Sequence, residues 1–104
     1  MNKIHTKRDA ESLIFLLQKL GYINAKLIGS FGNGKETSEH DIDVYIPKLP
    51  GFLSKRFKSK QFADTMKNLL DAESYEYTDM ESWYFTNTFF GDVDMFHNID
   101  HFDY

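Results

Sequence analysis

The sequence predicts an α/β domain of the α+β kind, with one mixed sheet and helices packed on a single face of it. Three observations carry this expectation. Two segments repeat apolar residues at helical spacing, the last third is rich in Tyr, Phe, Trp and Thr, and two short runs alternate carboxylate with aliphatic residues. The expected order is helix, strand, strand, helix, then strands. The 104 residues, 1–104, are read as one domain with a single modest core.

Each element has a local cause. Thr6 followed by Asp9 is an acidic variant of a capping box, and it opens a helix whose apolar positions Ala10, Leu13, Ile14, Leu17 and Leu20 keep the 3.6-residue period. Gly21 is a natural stop. Tyr22 to Ile28 reads as the first strand, ending at Gly29-Ser30, and residues 31–40 read as a loop with room for one opening helical turn. Asp41 to Ile46 reads as the second strand, ended by Pro47. Lys48 to Lys58 is a basic, Pro/Gly-bearing connection. A second helix is expected from near Ser59, because Phe62, Ala63, Met66, Leu69 and Leu70 keep helical spacing. Strands are expected near 74–78, 82–89 and 92–97, the last two joined through Gly91 as a hairpin.

Composition narrows the function classes. Without cysteine there are no disulfides and no thiolate metal sites, which suits a reducing, cytoplasmic setting. The longest apolar stretch, Leu13 to Leu17, is far too short to span a bilayer, and the N-terminal MNKIHTKRDAE lacks the apolar region of a signal peptide. A net charge of −4 argues against a general nucleic-acid-binding protein. Charge is nonetheless uneven: Lys48, Lys55, Arg56, Lys58 and Lys60 form a basic stretch, while Asp71, Glu73, Glu76, Asp79 and Glu81 form an acidic one. Both read as solvated surface, with a second reading in which the basic loop steers a polyphosphate or acidic partner.

The chemistry concentrates in Leu27 to Ile46, LIGSFGNGKETSEHDIDVYI. Successive side chains of a strand point to opposite faces, so Asp41 and Asp43 share one face while Ile42, Val44 and Ile46 take the other. Adjacent carboxylates repel, and the natural remedy is a hard cation such as Mg²⁺. The Gly29-Ser30 turn beside them suits phosphate. Gly91-Asp92-Val93-Asp94-Met95-Phe96 repeats the alternation. If its strand neighbours the first, Asp94 joins the same site, with Asp92 as the substitute in a register shifted by two. Two-metal phosphoryl transfer needs such a cluster, with Asp41 and Asp43 holding both ions and Asp94 coordinating or activating on the nucleophile side.

In order, Gly29-Ser30, a ten-residue gap, Asp41-Ile42-Asp43-Val44 and the later Val93-Asp94-Met95 closely resemble the DNA polymerase β-type nucleotidyltransferase superfamily. The short chain most resembles its minimal nucleotidyltransferase branch. The matching elements span residues 27–97. The resemblance implies a polymerase-β-like fold, an NTP (ATP expected) with two Mg²⁺ ions, and transfer of an NMP group to a hydroxyl acceptor with release of pyrophosphate. It implies that Asp41, Asp43 and Asp94 are catalytic metal ligands. Ser30 would hold the β- or γ-phosphate, and Gly29 would permit close approach. Acceptors in this branch include small antibiotics and partner proteins, and some members are toxins or antitoxins paired with a helical HEPN-type protein. The chain departs from the pattern at two places: its nearest cation after the turn, Lys35, sits late, and His40 stands where a Ser often precedes the first acid.

Other residues carry two readings each. Gly32, Asn33 and Gly34 are a phosphate cradle or plain loop, Lys35 a phosphate ligand or a surface cation, and His40 a site neighbour or an exposed loop residue. His97 and His101, near Asp94, Asp100 and Asp103, are read as packing or fraying in preference to a transition-metal site. Trp83, Tyr84, Phe85, Phe89, Phe90, Phe96 and Phe102 are more aromatics than strand alternation can bury, which points to a homodimer or a hetero-complex. The second function class is therefore a catalytically idle interaction module, such as an antitoxin that binds its HEPN-type toxin. A third possibility, RNA as acceptor, is favoured only by the basic 48–60 stretch.

Overall fold

The computed structural model describes residues 4–49 and 56–98. Lys55, Asp100, His101, Phe102 and Asp103, with most of the basic connection, lie outside the described residues. The element order is β1 (His5–Thr6), α1 (Lys7–Lys19), β2 (Lys26–Ile28), α2 (Gly29–Gly32), β3 (Thr37–Ser38), β4 (Ile42–Tyr45), α3 (Lys60–Leu70), β5 (Ser74–Tyr77), β6 (Ser82–Thr88) and β7 (Gly91–Phe96). The protein is mixed α+β. A five-stranded sheet runs β2-β4-β7-β6-β5, with every neighbouring pair antiparallel except the parallel β4–β7 pair. A second, two-stranded sheet pairs β1 with β3.

The helix limits follow from local chemistry. The Thr6 hydroxyl accepts the Asp9 N–H at the start of α1, and Ser59 does the same for Phe62 at the start of α3. At the end of α1, Gly21 takes φ 106°, Tyr22 N–H donates to Leu17 O and Gly21 N–H donates to Gln18 O. These are the two bonds of a Schellman motif, in which the left-handed residue is best a glycine.

The expected first strand is shorter than the pattern suggested. Tyr22 to Ala25 form a turn, closed by Ala25 N–H donating to Tyr22 O, and only Lys26–Ile28 pair with β4. Tyr22 is fully buried because the helix exit drives it inward, so its apolar character reports packing and not strand alternation. Residues 31–40 hold the end of the helical turn, α2, and also β3. Two-residue strands such as β1 and β3 carry no readable period.

One cluster forms the core. Ala10, Leu13 and Leu17 of α1 and Phe62, Ala63, Met66 and Leu70 of α3 meet Ile42, Val44, Phe85, Val93 and Met95 from the sheet. Both helices therefore cover one face, and alternation sends Asp43, Tyr84 and Asp94 to the other. Trp83 is also buried, its indole N–H donating to Phe57 O at 2.6 Å. Of the remaining aromatics, Phe96 is buried, Tyr84 and Phe90 are half-buried, and Phe89 stays 82% exposed at the β6–β7 turn. His97 is exposed, yet its Nδ1 donates to Ile46 O at 2.7 Å and its ring stacks on Phe57. Among the described residues no helix is long and apolar enough to cross a membrane.

Phe85 sits at the centre of this core with no solvent exposure. Phe85→Ala is expected to lower stability by about 3–5 kcal/mol in urea unfolding. A loss below about 1 kcal/mol would contradict that placement.

Candidate metal centre

The site begins with the β4–β7 register. These parallel neighbours pair Ile42 with Val93, Asp43 with Asp94 and Val44 with Met95. The aliphatic residues fall on the core face, so Asp43 and Asp94 stand side by side on the open one. Asp41 lies one residue before β4, where the chain leaves the β3 loop. Asp41, Asp43 and Asp94 each offer a carboxylate oxygen, and these oxygens all lie within 4.8 Å of one another. Asp92 shares their face but has its own work: its Oδ1 accepts the Asn87 N–H at 2.9 Å, where φ at Asn87 is 50°. It holds the irregular end of β6.

Gly29 makes the close approach possible. Its φ is +66°, and a Cβ there would sit 2.5 Å from Asp43 Oδ2. Any side chain would collide with the carboxylate, in a backbone conformation that already favours glycine. β2 pairs Ile28 with Asp43, which brings the turn against the acid, and α2 begins at Gly29. Asn33 N–H donates to Gly29 O and Lys35 N–H to Ser30 O, closing the turn.

A cleft of about 450 Å³ opens over the acids. Gly29, Ser30, Lys35 and His40 line it together with Asp41, Asp43 and Asp94. Ser30 is half-buried, whereas Lys35 and His40 are exposed at the rim. Asn33, Met80 and Phe96 also line it. Phe96 follows Asp94 by two residues on β7, whereas Met80 belongs to the β5–β6 turn and only the fold brings it here. Tyr84, opposite Asp94 on β6, is a further neighbour read from sequence as hydrophobic packing. Burial, then Asp92, Asp41, Asp94 and Glu76, push its hydroxyl up to about 12.

The carboxylates are electrostatically frustrated. Burial first, then Asp41 and Asp94, raises Asp43 to about 8. Burial raises Asp94 to about 7, with Asp41 adding to it and the Ser82 hydroxyl opposing. Burial, with the nearby Asp92 adding to it, also raises Asp41, and its own backbone N–H is the main group opposing. Asp94 Oδ1 is buried without a hydrogen-bond partner. A cation would relieve both the repulsion and the orphaned oxygen, and an all-oxygen donor set fits a hard ion. No protein-family model, curated protein or solved structure matches the chain.

The pH dependence of stability follows directly. An unfolded Asp has a pKa near 3.9, so between about pH 4 and pH 8 the folded state holds more protons than the unfolded one. Without metal, stability is therefore full below about pH 4 and is lost as pH rises through about 7 and 8. Urea midpoints measured in EDTA from pH 5 to 9 are expected to fall, and Asp43→Asn is expected to flatten the curve. A wild-type midpoint that rises over that range would overturn the assignment. Gly29→Ala is expected to displace the Asp43 carboxylate and to cost about 1–3 kcal/mol through its left-handed backbone. Unfolding together with an NMR carboxyl titration of Asp43 checks both effects.

Proposed function

We propose that this chain is a polymerase-β-like minimal nucleotidyltransferase. It transfers an NMP group from an NTP, with ATP the expected donor, to a hydroxyl acceptor and releases pyrophosphate. The observation that carries the reading is the in-register placement of Asp43 beside Asp94, completed by Asp41 and faced by the Gly29-Ser30 turn. Asp41, Asp43 and Asp94 would hold Mg²⁺. The buried, unpartnered Asp94 Oδ1 and the raised carboxylate pKa values support that fit. When bound, the metal supplies charge neutralisation at the phosphates and activation of the acceptor hydroxyl.

The chain's own groups do the rest. Gly29 lets the turn approach the Asp43 carboxylate closely, Ser30 offers its hydroxyl and backbone to the β- or γ-phosphate, and Lys35 at the rim meets the outer phosphate charge. Asp94 is assigned to the nucleophile side, coordinating the metal there or activating the acceptor hydroxyl.

The 82% exposed Phe89 and the 60% exposed Phe15 favour a second reading, in which the domain acts by binding a protein such as a HEPN-type partner or a second copy of itself.

Label transfer from α-phosphate-labelled NTPs with Mg²⁺ in host-cell extract separates the two. Transfer into a protein, RNA or small molecule is expected with wild type, with a loss of at least about 100-fold in the folded Asp41→Asn/Asp43→Asn double mutant. Equal transfer by that mutant would sink the mechanism. Absence of both transfer and Mg-NTP binding would move the assignment to the binding module.

A further inference from the structure

His5 is far from the acids in sequence and close to them in space. Its side chain is only 3% exposed. Nε2 accepts the backbone N–H of Asp92, the residue two before Asp94, at 3.0 Å across a separation of 87 residues. That bond requires Nε2 to be unprotonated, so the ring proton sits on Nδ1, which is buried with no hydrogen-bond partner. The imidazole fills the space above Gly91, where a Cβ would lie 2.5 Å from His5 Cδ2 and 2.7 Å from Nε2. With φ at +111°, Gly91 satisfies two demands at once: a left-handed backbone and a seat for the ring.

The backbone around His5 explains what this contact does. β1 pairs His5 with Ser38 and Thr6 with Thr37, and Lys7 N–H donates to Glu36 O at 2.8 Å. The Ser38 hydroxyl then accepts the His40 N–H at 3.0 Å. Residues 36–40 are thus held against residues 5–7, and they deliver the chain to Asp41 at the cleft. On its other side, His5 is bonded to the start of β7, which carries Asp94. The strand pairing between β4 and β7 begins at Ile42 and Val93, one residue after Asp41. His5 adds to that pairing a side-chain bond between the Asp41 approach and the start of β7.

We infer that His5 is a positioning residue for the acidic centre, setting where Asp41 stands relative to Asp43 and Asp94 and hence how tightly the centre holds a divalent cation. This inference rests on the metal reading of the three acids. It uses His5 as a hydrogen-bond acceptor of fixed reach, not as a ligand and not as a titrating group. A side chain that reaches the Asp92 N–H with an acceptor atom preserves the arrangement, and one that cannot loses it.

The test is Mn²⁺ binding, followed by the EPR signal of the free ion, on wild type and on His5→Leu, His5→Asn and His5→Gln. Urea unfolding in EDTA is run alongside. Gln places its amide oxygen near the position of Nε2, whereas Asn reaches only as far as Nδ1. Loss of a partner that orients a metal ligand weakens binding by about 10–100-fold, and that is the effect expected for Leu and Asn. Gln is expected to stay near wild type. If Leu does not fold, the contrast between Asn and Gln carries the result. Four proteins that bind Mn²⁺ alike, with only their unfolding midpoints differing, would overturn the inference and leave the metal reading intact. No Mn²⁺ binding by wild type would overturn both.

Discussion

The parallel pairing of β4 with β7 is the constraint on which the rest of the structure depends. A parallel pair cannot be closed by a tight turn, so the chain leaves β4, passes through α3 and returns through the β5–β6 hairpin before β7 lies alongside. The alternation of each strand sends its aliphatic residues into the core beneath α1 and α3. The same alternation sends Asp43 and Asp94 out on the opposite face. Core packing and carboxylate pairing are therefore two consequences of one register. A slip of one residue in either strand would bury an acid and expose an aliphatic side chain.

That register works against stability in the absence of a ligand. Three acids within reach of one another, partly withdrawn from water, resist ionisation, as the raised values of Asp43 and Asp94 express. The apolar core on the other face compensates. Around the acids the fold spends glycine where side chains would intrude: Gly29 against Asp43 and Gly91 against His5. A glycine turn against Asp43, an orphaned carboxylate oxygen and a buried histidine bonded to the start of β7 meet around the three acids. The nucleotidyltransferase proposal rests on that organisation.

Some of this was legible in the residues and some was not, for physical reasons that differ by element. The cap at Thr6, the stop at Gly21, the helix start near Ser59, the strand pattern from Ser74 onward and the Asp-aliphatic alternations are local signals, and the structure carries each of them. The run from Tyr22 to Ala25 misled because an apolar residue turned inward by a helix exit looks the same as one in a strand. β1 and β3 were invisible because two residues have no period. His5, Tyr84 and Met80 gave no signal as neighbours of the acids, since each arrives through pairing or a turn distant in sequence.

By itself the sequence determined which residues alternate, where helices begin and end, and that Asp41, Asp43 and Asp94 occur in strand-like, outward-facing patterns. These properties depend on bonding and sterics over a few residues, so they are written locally. Only the tertiary structure decided that β4 and β7 are neighbours, that Asp94 and not Asp92 meets Asp41 and Asp43, and that Gly29 and His5 complete the surroundings. Strand order and register are chosen by the burial of the whole core, a balance to which every element contributes and which no single segment contains.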